Sequence, residues 1–331
     1  MKGVAPDFPV LSICIVAHNG LCHVGRAIGS SVTCANVPLE LIVVDNGSTD
    51  GTANAVRAEW PFAEVIQEPV NRGYAPAMNR ALLRSRGRYL LLLSQDAEAS
   101  PESVETLLEF MEGHPTAGLA GPRTVDDDGR VVTTLHHPNL FLSLWTEIIP
   151  VKPWLRRQAD LRRRLAAVAP NSSGLTSNYE ETHPVPVLDG GCLMVRRRAL
   201  EKVGLLDPML PQGPDDYDWC YRMARGGFEL WYVATAVVVH RARPKEDAAT
   251  LTLQQVRLRL PQWCYLYAKY HRQPAVTAFR LSALLLLWKW RRRIVRLHPE
   301  DRARIESLCD ASRLCWSARE YRRAVTAANG L

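Results

Sequence analysis

Short apolar runs alternate with helix-like segments over the first 125 residues, and this alternation limits the possible folds more than any other feature. The runs that predict strands are Val10–Ala17, Leu39–Asp45, Ala63–Glu68, Arg88–Ser94 and Ala117–Pro122. Helical patterns lie between them, at His23–Thr33, Thr52–Trp60, Ala75–Arg86 and Pro101–His114. Strands that are almost continuously apolar are typical of a sheet covered on both faces. We therefore predict an α/β fold with a parallel sheet flanked by helices.

Polar clusters follow three of the predicted strands. The first strand leads into "AHN", the second into "DNGSTD" and the fourth into "SQD". In open α/β sheets, ligands bind beyond the carboxyl ends of the strands. Each cluster alone could be a surface turn, but three at equivalent positions favour a common binding site.

The second half of the chain is less regular. Residues 126–183 read as an insertion that carries one short helix. Beyond it we predict a strand over Val187–Val195, with Gly190 and Gly191 allowing close backbone approach, and a helix over Arg198–Val203. An acidic cluster opens a further helix, "FELWYVATAVVVH" predicts two short strands that end on His240, and the chain beyond Thr250 is predicted to be helical.

Four groups in these segments could carry chemistry. Asp45, at a strand end, could accept hydrogen bonds from a ribose or a base. The turn "NRGYAPAMN" opens a helix, where free amides suit an anion. Asp96 could hold Mg²⁺ or Mn²⁺ together with substrate phosphates, and His240 could complete the coordination, although a lone histidine is more often structural.

The acidic cluster "GPDDYDWC" is the fourth group. It places Asp215, Asp216 and Asp218 within four positions at a helix start. Capping and the helix dipole account for one or two acids there. Like-charged neighbours also raise a carboxylate pKa towards values that suit a general base, so the cluster favours catalysis over capping alone.

Composition and charge indicate which kinds of partner and which cellular compartment to expect. The net charge of +7 indicates anionic partners. We do not expect nucleic acid among them, because the sequence contains no recognisable nucleic-acid-binding motif. The eight cysteines lack C-x-x-C spacing, which predicts free thiols in a reducing compartment and no zinc site. Without a secretion-type apolar segment at the N-terminus, we expect a cytoplasmic protein.

The stretch "AFRLSALLLLWKWRRRIVRLHP" near the C-terminus joins an apolar run to a cluster of arginines. The run is too short to span a bilayer as a helix. It is typical of an interfacial helix on an anionic membrane surface, which would place the protein on the inner face of the cytoplasmic membrane. The alternative is a core-packed helix whose arginines are solvated.

The order of these motifs resembles that of the family-2 inverting glycosyltransferases, nearest to the branch of bacterial rhamnosyltransferases. The matching segments include "SICIVAHNG", "LIVVDNGSTDGT", "LLLLSQDAE", "LDGGCLMVRRRALEKVGLLD" and "VVVH". The resemblance covers about residues 10–241 apart from the insertion. It implies the α/β fold called GT-A, the nucleotide-diphospho-sugar transferase fold, over 1–245, with a mixed, mostly parallel central sheet flanked by helices. This part would comprise a nucleotide-sugar half (1–125), the insertion (126–183) and an acceptor half (184–245), followed by a helical region at 246–331.

The resemblance also implies roles for single residues. Asp216 would be the catalytic base with Asp215 before it, and Asp96 and His240 would bind Mg²⁺ or Mn²⁺. The residues implied in donor binding are Ala17, His18, Asn19, Asp45, Asn71, Gly73, Asn79, Gln95, Asp96, Gly190 and Gly191. The sequence departs from the family at Ser94, where many members have aspartate, at Asp215, which is usually glutamate, and at Ala75-Pro76-Ala77.

The implied function is sugar transfer in cell-envelope polysaccharide synthesis. The donor would be a dTDP- or UDP-sugar, with rhamnose preferred, and the acceptor a hydroxyl of a glycan or a lipid-linked sugar. A catalytically inactive partner of another transferase is the alternative. A sugar nucleotidylyltransferase is disfavoured because "AHNGLCHVG" lacks the glycine-rich, basic signature of that class. The motifs carry no information on oligomeric state.

Overall fold

The structure, a computed structural model, describes residues 9–33, 37–132, 179–211, 213–241, 253–297 and 301–329 of the 331-residue chain. The strands in these ranges are β1 Leu11–Ala17, β2 Leu39–Asn46, β3 Glu64–Glu68, β4 Tyr89–Ser94, β5 Ala97–Ala99, β6 Ala117–Val125, β7 His183–Pro184, β8 Cys192–Arg196 and β9 Glu229–His240. They form one sheet in the order β3-β2-β1-β4-β8-β6-β9-β5, and β7 pairs with β9.

The predicted fold class is confirmed, because the sheet is mixed and flanked by helices. Strands β3, β2, β1 and β4 are parallel. Strand β8 is antiparallel to both β4 and β6, while β9 is parallel to β6. All seven residues of β1 and the first five of β4 are buried, in agreement with their apolar sequences. Burial on both faces gives these central strands their continuous apolar character.

Where bounds were predicted, the helices begin and end within a few residues of them. They are α1 Val24–Val32, α2 Thr52–Glu59, α3 Tyr74–Arg84, α4 Pro101–Gly113, α5 Arg197–Val203, α6 Asp215–Arg225, α7 Leu253–Tyr270, α8 Ala275–Leu297, α9 Arg302–Trp316 and α10 Ala318–Asn329. The helical character predicted beyond Thr250 is confirmed for the part of the region that the structure describes.

Two strand predictions are corrected by the structure. The segment "FELWYVATAVVVH" forms the single strand β9, because its pairing with β6 continues across a bulge between Val233 and Val237. The strand predicted over Val187–Val195 begins only at Cys192, since Gly190 and Gly191 form a turn before it. The short strands β5 and β7 were not predicted, because two or three residues are too few for a periodic pattern.

The chain divides into two compact units. The first consists of Met1–His136, Ser177–Asp207 and Asp216–Ala242, and it contains the whole sheet. The second consists of His137–Thr176, Pro208–Asp215 and Arg243–Leu331. Leu258, Leu314, Tyr321 and Val325 form a core cluster in this helical unit, where the Tyr321 hydroxyl donates to the Met209 carbonyl oxygen at 2.5 Å.

Most of the predicted insertion at 126–183 falls on residues 133–178, outside the described part of the chain. Every cysteine within the described residues is a free thiol, as predicted. Burial raises the pKa of Cys14 and of Cys192 to about 12, so these two thiols stay protonated. None of the described helices is both long and apolar enough to cross a membrane.

Candidate active site

The three predicted polar clusters lie at one edge of the sheet. In the parallel register, Ala17 of β1 is opposite Asp45 of β2, and Val16 is opposite Ser94 of β4. The three strands therefore end at the same level. The sheet thus brings together the segments that begin at His18, Asn46 and Gln95.

Asp45 is a buried carboxylate with unused hydrogen-bonding capacity. The residue is 1% exposed. Its Oδ1 atom accepts from the Ser48 backbone N–H at 3.1 Å, whereas Oδ2 has no hydrogen-bond partner among the described residues. Buried polar atoms are almost always paired, and leaving one unpaired costs about 1–3 kcal/mol. The Oδ2 atom is therefore suited to accept a hydrogen bond from a ligand.

The side chain of Gln95 binds the backbone of the first loop at two points. Its Oε1 atom accepts from the His18 N–H at 2.8 Å, and its Nε2 atom donates to the His18 carbonyl oxygen at 3.2 Å. The His18 ring is held in turn, with Nδ1 3.0 Å from the Asn46 carbonyl oxygen. Gln95 thus fixes the loop that follows β1, and its proposed direct contact with a donor stays a prediction.

The loop after β2 supplies side chains that cap the same loop. Asn19 has a φ of 48°, a conformation that asparagine tolerates better than most residues. Its Oδ1 atom accepts from the Thr49 N–H at 2.9 Å, and its own N–H donates to Ser48 Oγ at 2.9 Å. The Gly20 N–H donates to Thr52 Oγ1 at 3.0 Å. These contacts hold the two strand-end loops together.

Asn46 organises the predicted anion-binding turn and was missed by sequence reasoning. Its Nδ2 atom donates to Asn71 Oδ1 at 3.0 Å and to the Gly73 carbonyl oxygen at 3.1 Å, while its Oδ1 accepts from the Arg72 N–H at 2.9 Å. Asn71 Oδ1 also accepts from the Gly73 N–H at 2.9 Å. The signal in the sequence is the position of Asn46 directly after Asp45, within the polar cluster "DNGSTD".

Asn79 lies on α3 and pairs with a distant part of the same unit. Its Nδ2 atom donates to the Leu206 carbonyl oxygen at 2.9 Å, and its Oδ1 accepts from the Leu206 N–H at 3.0 Å. Both polar atoms of this side chain thus join α3 to the segment after α5. The structure gives Asn79 a connecting role, and a donor contact there stays a prediction.

Asp96 and His240 are adjacent in the structure. His240 Nε2 lies 3.1 Å from Asp96 Oδ1, and Ser94 Oγ donates to the same oxygen at 2.7 Å. Burial opposes ionisation of Asp96, but the hydrogen bonds from His240 and Ser94 outweigh it and hold the pKa of this carboxyl well below its ordinary value. Asp96 is consequently an anion over the whole physiological range, as a metal ligand has to be.

The donor set of this pair suits a divalent cation that a substrate also coordinates. One carboxylate oxygen and one imidazole nitrogen lie side by side, with both side chains partly exposed. Among the described residues, no group of three or more histidine, cysteine or acidic side chains is arranged so that it could hold a metal ion by itself. Mg²⁺ in phosphate-handling enzymes is commonly bound by one or two carboxylates together with substrate phosphates and water, and Asp96 supplies one such carboxylate.

The three acids of the predicted cluster have different surroundings at the start of α6. Asp216 Oδ2 accepts from the Gly190 N–H at 3.2 Å, and the residue is 9% exposed. Asp215 Oδ1 accepts from the Gly213 N–H at 3.2 Å. Asp218 is fully buried and forms an ion pair with Arg222 at 2.8 Å. The ion pair gives Asp218 a structural role.

The turn at Gly190 and Gly191 joins the acid of α6 to the end of β4. The Gly190 N–H donates to Asp216, and the Gly191 carbonyl oxygen accepts from the Ser94 N–H at 3.0 Å. A Cβ atom on Gly191 would lie 3.9 Å from His240 Cε1. Asp216, Ser94 and His240 therefore surround one tight turn. The sequence predicted close backbone approach at this turn, and the donor binding that the resemblance implies for Gly190 and Gly191 stays a prediction.

Comparison of the sequence with known proteins identifies a family. The model of "Glycosyl transferase family 2" matches residues 12–204. The chain is 26% identical over 242 residues to an N-acetylglucosaminyl-diphospho-decaprenol L-rhamnosyltransferase of Mycobacterium tuberculosis, covering 70% of this chain and 76% of that protein. It is also 30% identical over 126 residues to the succinoglycan biosynthesis protein ExoO of Rhizobium meliloti, covering 38% of this chain and 34% of that one.

Solved structures with a similar fold include two glycosyltransferases. A mannosyltransferase from Pyrobaculum calidifontis, in complex with GDP-Man and Mn²⁺, superposes with a TM-score of 0.52 at 18% identity, over 98% of this chain and 85% of that one. GalNAc-T7 with UDP, GalNAc and Mn²⁺ superposes with a TM-score of 0.51 at 16% identity, over 89% of this chain and 59% of that one. At these identities the likeness shows the fold.

Proposed function

This chain belongs to glycosyl transferase family 2, and on that basis we propose that it transfers a sugar, with inversion, from a nucleoside diphosphate to an acceptor hydroxyl. The rhamnosyltransferase relative supports rhamnose as the sugar and a glycan on a polyprenyl diphosphate as the acceptor. A dTDP- or UDP-sugar is the proposed donor. We assign this activity to residues 1–245, with residues 246–331 as a helical region.

The turn at Gly190 and Gly191 is the observation that carries the proposal. It contacts Asp216 on one side and the Ser94–Asp96 segment on the other. An inverting transfer needs a base on the acceptor side of the anomeric carbon and a group that stabilises the departing diphosphate on the other side. A tight turn that joins one candidate for each task supports this reaction better than it supports binding alone.

Asp45 favours uracil or thymine over cytosine as a pyrimidine base of the donor. Its unpaired Oδ2 atom can accept a hydrogen bond from an N–H donor of a bound base. Uracil and thymine both present an imide N–H, whereas cytosine has none at that ring position. A buried carboxylate oxygen therefore favours a uridine or thymidine nucleotide over a cytidine nucleotide.

Asp216 is the proposed base. Its carboxylate would accept the proton of the acceptor hydroxyl while the acceptor oxygen forms a bond to the anomeric carbon. The bond from that carbon to the diphosphate oxygen breaks at the same time, and the electron pair leaves with the diphosphate. The Gly190 N–H orients Asp216 through Oδ2, and Asp215 precedes it at the position of a second acid.

Asp96 and His240 would hold Mg²⁺ or Mn²⁺. When bound, the cation would neutralise charge on the diphosphate leaving group. The anionic state of Asp96 and its contact with an imidazole nitrogen support this assignment.

The proposed lipid-linked acceptor also implies a location for the enzyme, which would work on the inner face of the cytoplasmic membrane.

A catalytically inactive partner of another transferase is the second candidate. Ser94 occupies a position that carries an acid in many relatives, and this observation favours it. Against it, the Ser94 hydroxyl donates to Asp96 Oδ1 and helps to keep that carboxyl ionised. The substitution is therefore compatible with an active site that relies on one acid.

Transfer assays with Asp216→Asn separate these candidates. The wild type would be given UDP- and dTDP-sugars with Mn²⁺, and release of the nucleoside diphosphate would be measured with and without a polyprenyl diphosphate-linked sugar. We expect Asp216→Asn to lower the rate by about 10²–10⁴-fold while nucleotide binding is retained. The control Asp128→Asn, an exposed acid, should keep the wild-type rate.

Full activity in Asp216→Asn would overturn the assignment of the base. Nucleotide binding without turnover in the wild type, under every donor and acceptor tested, would favour the inactive partner. No thermal stabilisation by any nucleoside diphosphate would overturn both candidates.

A further inference from the structure

Helix α8 carries a stripe of exposed apolar side chains. Leu281, Leu285, Trp288 and Val295 are between 45% and 55% exposed, and we call these four residues the α8 stripe. Their spacing of four, three and seven residues places them on one face of the helix. The opposite face is buried and includes Phe279, Leu286, Leu287 and Ile294. Packing within the helical unit therefore leaves a second apolar face of α8 in solvent.

The second half of the same helix is strongly cationic. The exposed cations between residues 289 and 296 are Lys289, Arg291, Arg292, Arg293 and Arg296. The 23-residue helix contains no aspartate or glutamate. The Arg292 guanidinium lies 4.8 Å from the centre of the Trp288 ring. A cation of this half of the helix is therefore in contact with the tryptophan of the α8 stripe.

Charge complementarity decides between the possible occupants of this face. A second copy packed along the same face would bring two helices with several cations each, and no acids, against one another. An anionic bilayer surface offers phosphates to the cations and an acyl boundary to the leucines and the tryptophan. Tryptophan with neighbouring arginine or lysine is typical of segments that lie at the membrane interface.

We propose that the α8 stripe and the cations of residues 289–296 bind an anionic lipid bilayer surface, with α8 in the plane of the interface. The purpose of this surface rests on the proposed function, since a lipid-linked acceptor would be held at the same membrane. The surface itself contains none of the proposed active-site residues. Membrane binding and sugar transfer can therefore fail separately.

The test is sedimentation of the full chain with vesicles of phosphatidylcholine, with and without phosphatidylglycerol. We expect binding to the anionic vesicles that weakens as salt is raised, and little binding to phosphatidylcholine alone. Each cation near an anionic surface contributes about fivefold to partitioning, so the triple variant Lys289→Gln/Arg292→Gln/Arg296→Gln should bind about a hundredfold more weakly. Leu285→Ser/Trp288→Ser should also lose binding.

A matched triple variant removes the same charge from the other helices of this unit. Arg302→Gln/Arg319→Gln/Arg322→Gln changes exposed arginines of α9 and α10 and should keep wild-type binding. Thermal unfolding of each variant would show that the fold is retained.

Three results would overturn the proposal. The first is failure of the wild type to bind anionic vesicles. The second is a loss of vesicle binding in the matched control as large as in the triple variant of α8. The third is a dimer, detected by sedimentation equilibrium, that Leu285→Ser/Trp288→Ser dissociates. Thermal stabilisation of the same samples by nucleoside diphosphates reports separately on the proposed function.

Discussion

His240 Nε2 lies 3.1 Å from Asp96 Oδ1, although the two residues are 144 positions apart in the chain. The contact follows from the antiparallel pairing of β5 with β9, which sets Ala97 opposite His240. A further bond from the Arg241 N–H to the Asp96 carbonyl oxygen, at 3.0 Å, fixes the same crossing point. A strand of only three residues thus determines the geometry of the proposed metal site.

His240→Gln tests that site directly. Losing a hydrogen-bond partner of a metal ligand typically lowers metal affinity by at least about tenfold. If His240 coordinates the cation directly, His240→Gln should lower the Mn²⁺ affinity, measured in the presence of UDP or dTDP, by at least that much. Isothermal titration with Mn²⁺ would measure the change. The control His183→Gln removes a histidine of β7 and should leave the affinity unchanged. Unaltered Mn²⁺ binding by His240→Gln would remove this residue from the ligand set.

Glu40 should make stability depend on pH. Its Oε1 atom accepts from Ser12 Oγ at 2.6 Å and from the Arg86 and Gly87 N–H groups at 2.5 and 3.2 Å. Burial opposes ionisation, but the hydrogen bonds from Ser12 and Arg86 outweigh it and lower the pKa of this carboxyl from 4.5. A lowered pKa in the folded state stabilises the protein above about pH 4.5, and this contribution is lost as the pH falls through the folded value.

The substitution Glu40→Gln measures that contribution. We expect a loss of about 1–2 kcal/mol in the free energy of unfolding at pH 7, because charged acceptors form the stronger hydrogen bonds. The difference between wild type and variant should shrink as the pH is lowered below about 4.5, because the wild-type carboxylate becomes protonated as the pH falls through its lowered folded-state pKa. Denaturant unfolding at several pH values would measure it. A difference independent of pH would show that ionisation of Glu40 is not involved.

Gln95 and Gly20 should act as one unit in nucleotide binding. A Cβ atom on Gly20 would lie 2.2 Å from Gln95 Oε1, the atom that accepts from the His18 N–H. Gln95→Ala removes that acceptor and Gly20→Ala displaces it, so each should weaken nucleotide binding roughly tenfold. The double variant should bind no more weakly than either single one, since both remove the same interaction.

Isothermal titration with UDP and dTDP would measure these three affinities. Gly113→Ala is the control, because a Cβ atom there meets nothing within 4 Å. Fully additive losses in the double variant would contradict a shared action through His18.

Asp216 and Asp218, two residues apart, should separate activity from stability. Asp218 is buried in an ion pair with Arg222, whose guanidinium also donates to the Val203 and Leu205 carbonyl oxygens at 2.6 and 2.8 Å. Breaking a buried ion pair from one side typically costs about 3–5 kcal/mol, so Asp218→Ala should unfold at a much lower temperature. Asp216→Asn should keep its melting temperature and lose turnover. A stable but inactive Asp218→Ala would move the base to Asp218.

The strands and their polar ends could be predicted because burial on both faces leaves a local signature. The apolar runs before Asp45 and Asp96 predicted β2 and β4 to within one residue, and parallel pairing then aligned their ends. The family resemblance added the order of the motifs. These features depend on short stretches of chain, which a sequence displays directly.

Side-chain partnerships depended on the tertiary structure. The segment containing Gln95 was predicted to meet the site, but its bonds to His18 across 77 positions were not, and neither were those of Asn79 to Leu206 across 127. The sequence offered three acids at α6, and only burial against Arg222 distinguished Asp218 from the other two. Hydrogen-bond partners are set by which distant segments the sheet register brings within 3 Å, and no local pattern encodes that register. The sequence by itself therefore determined the strands and the edge of the sheet at which a site could form. Tertiary packing decided which polar side chains at that edge support the backbone and which remain available to a ligand.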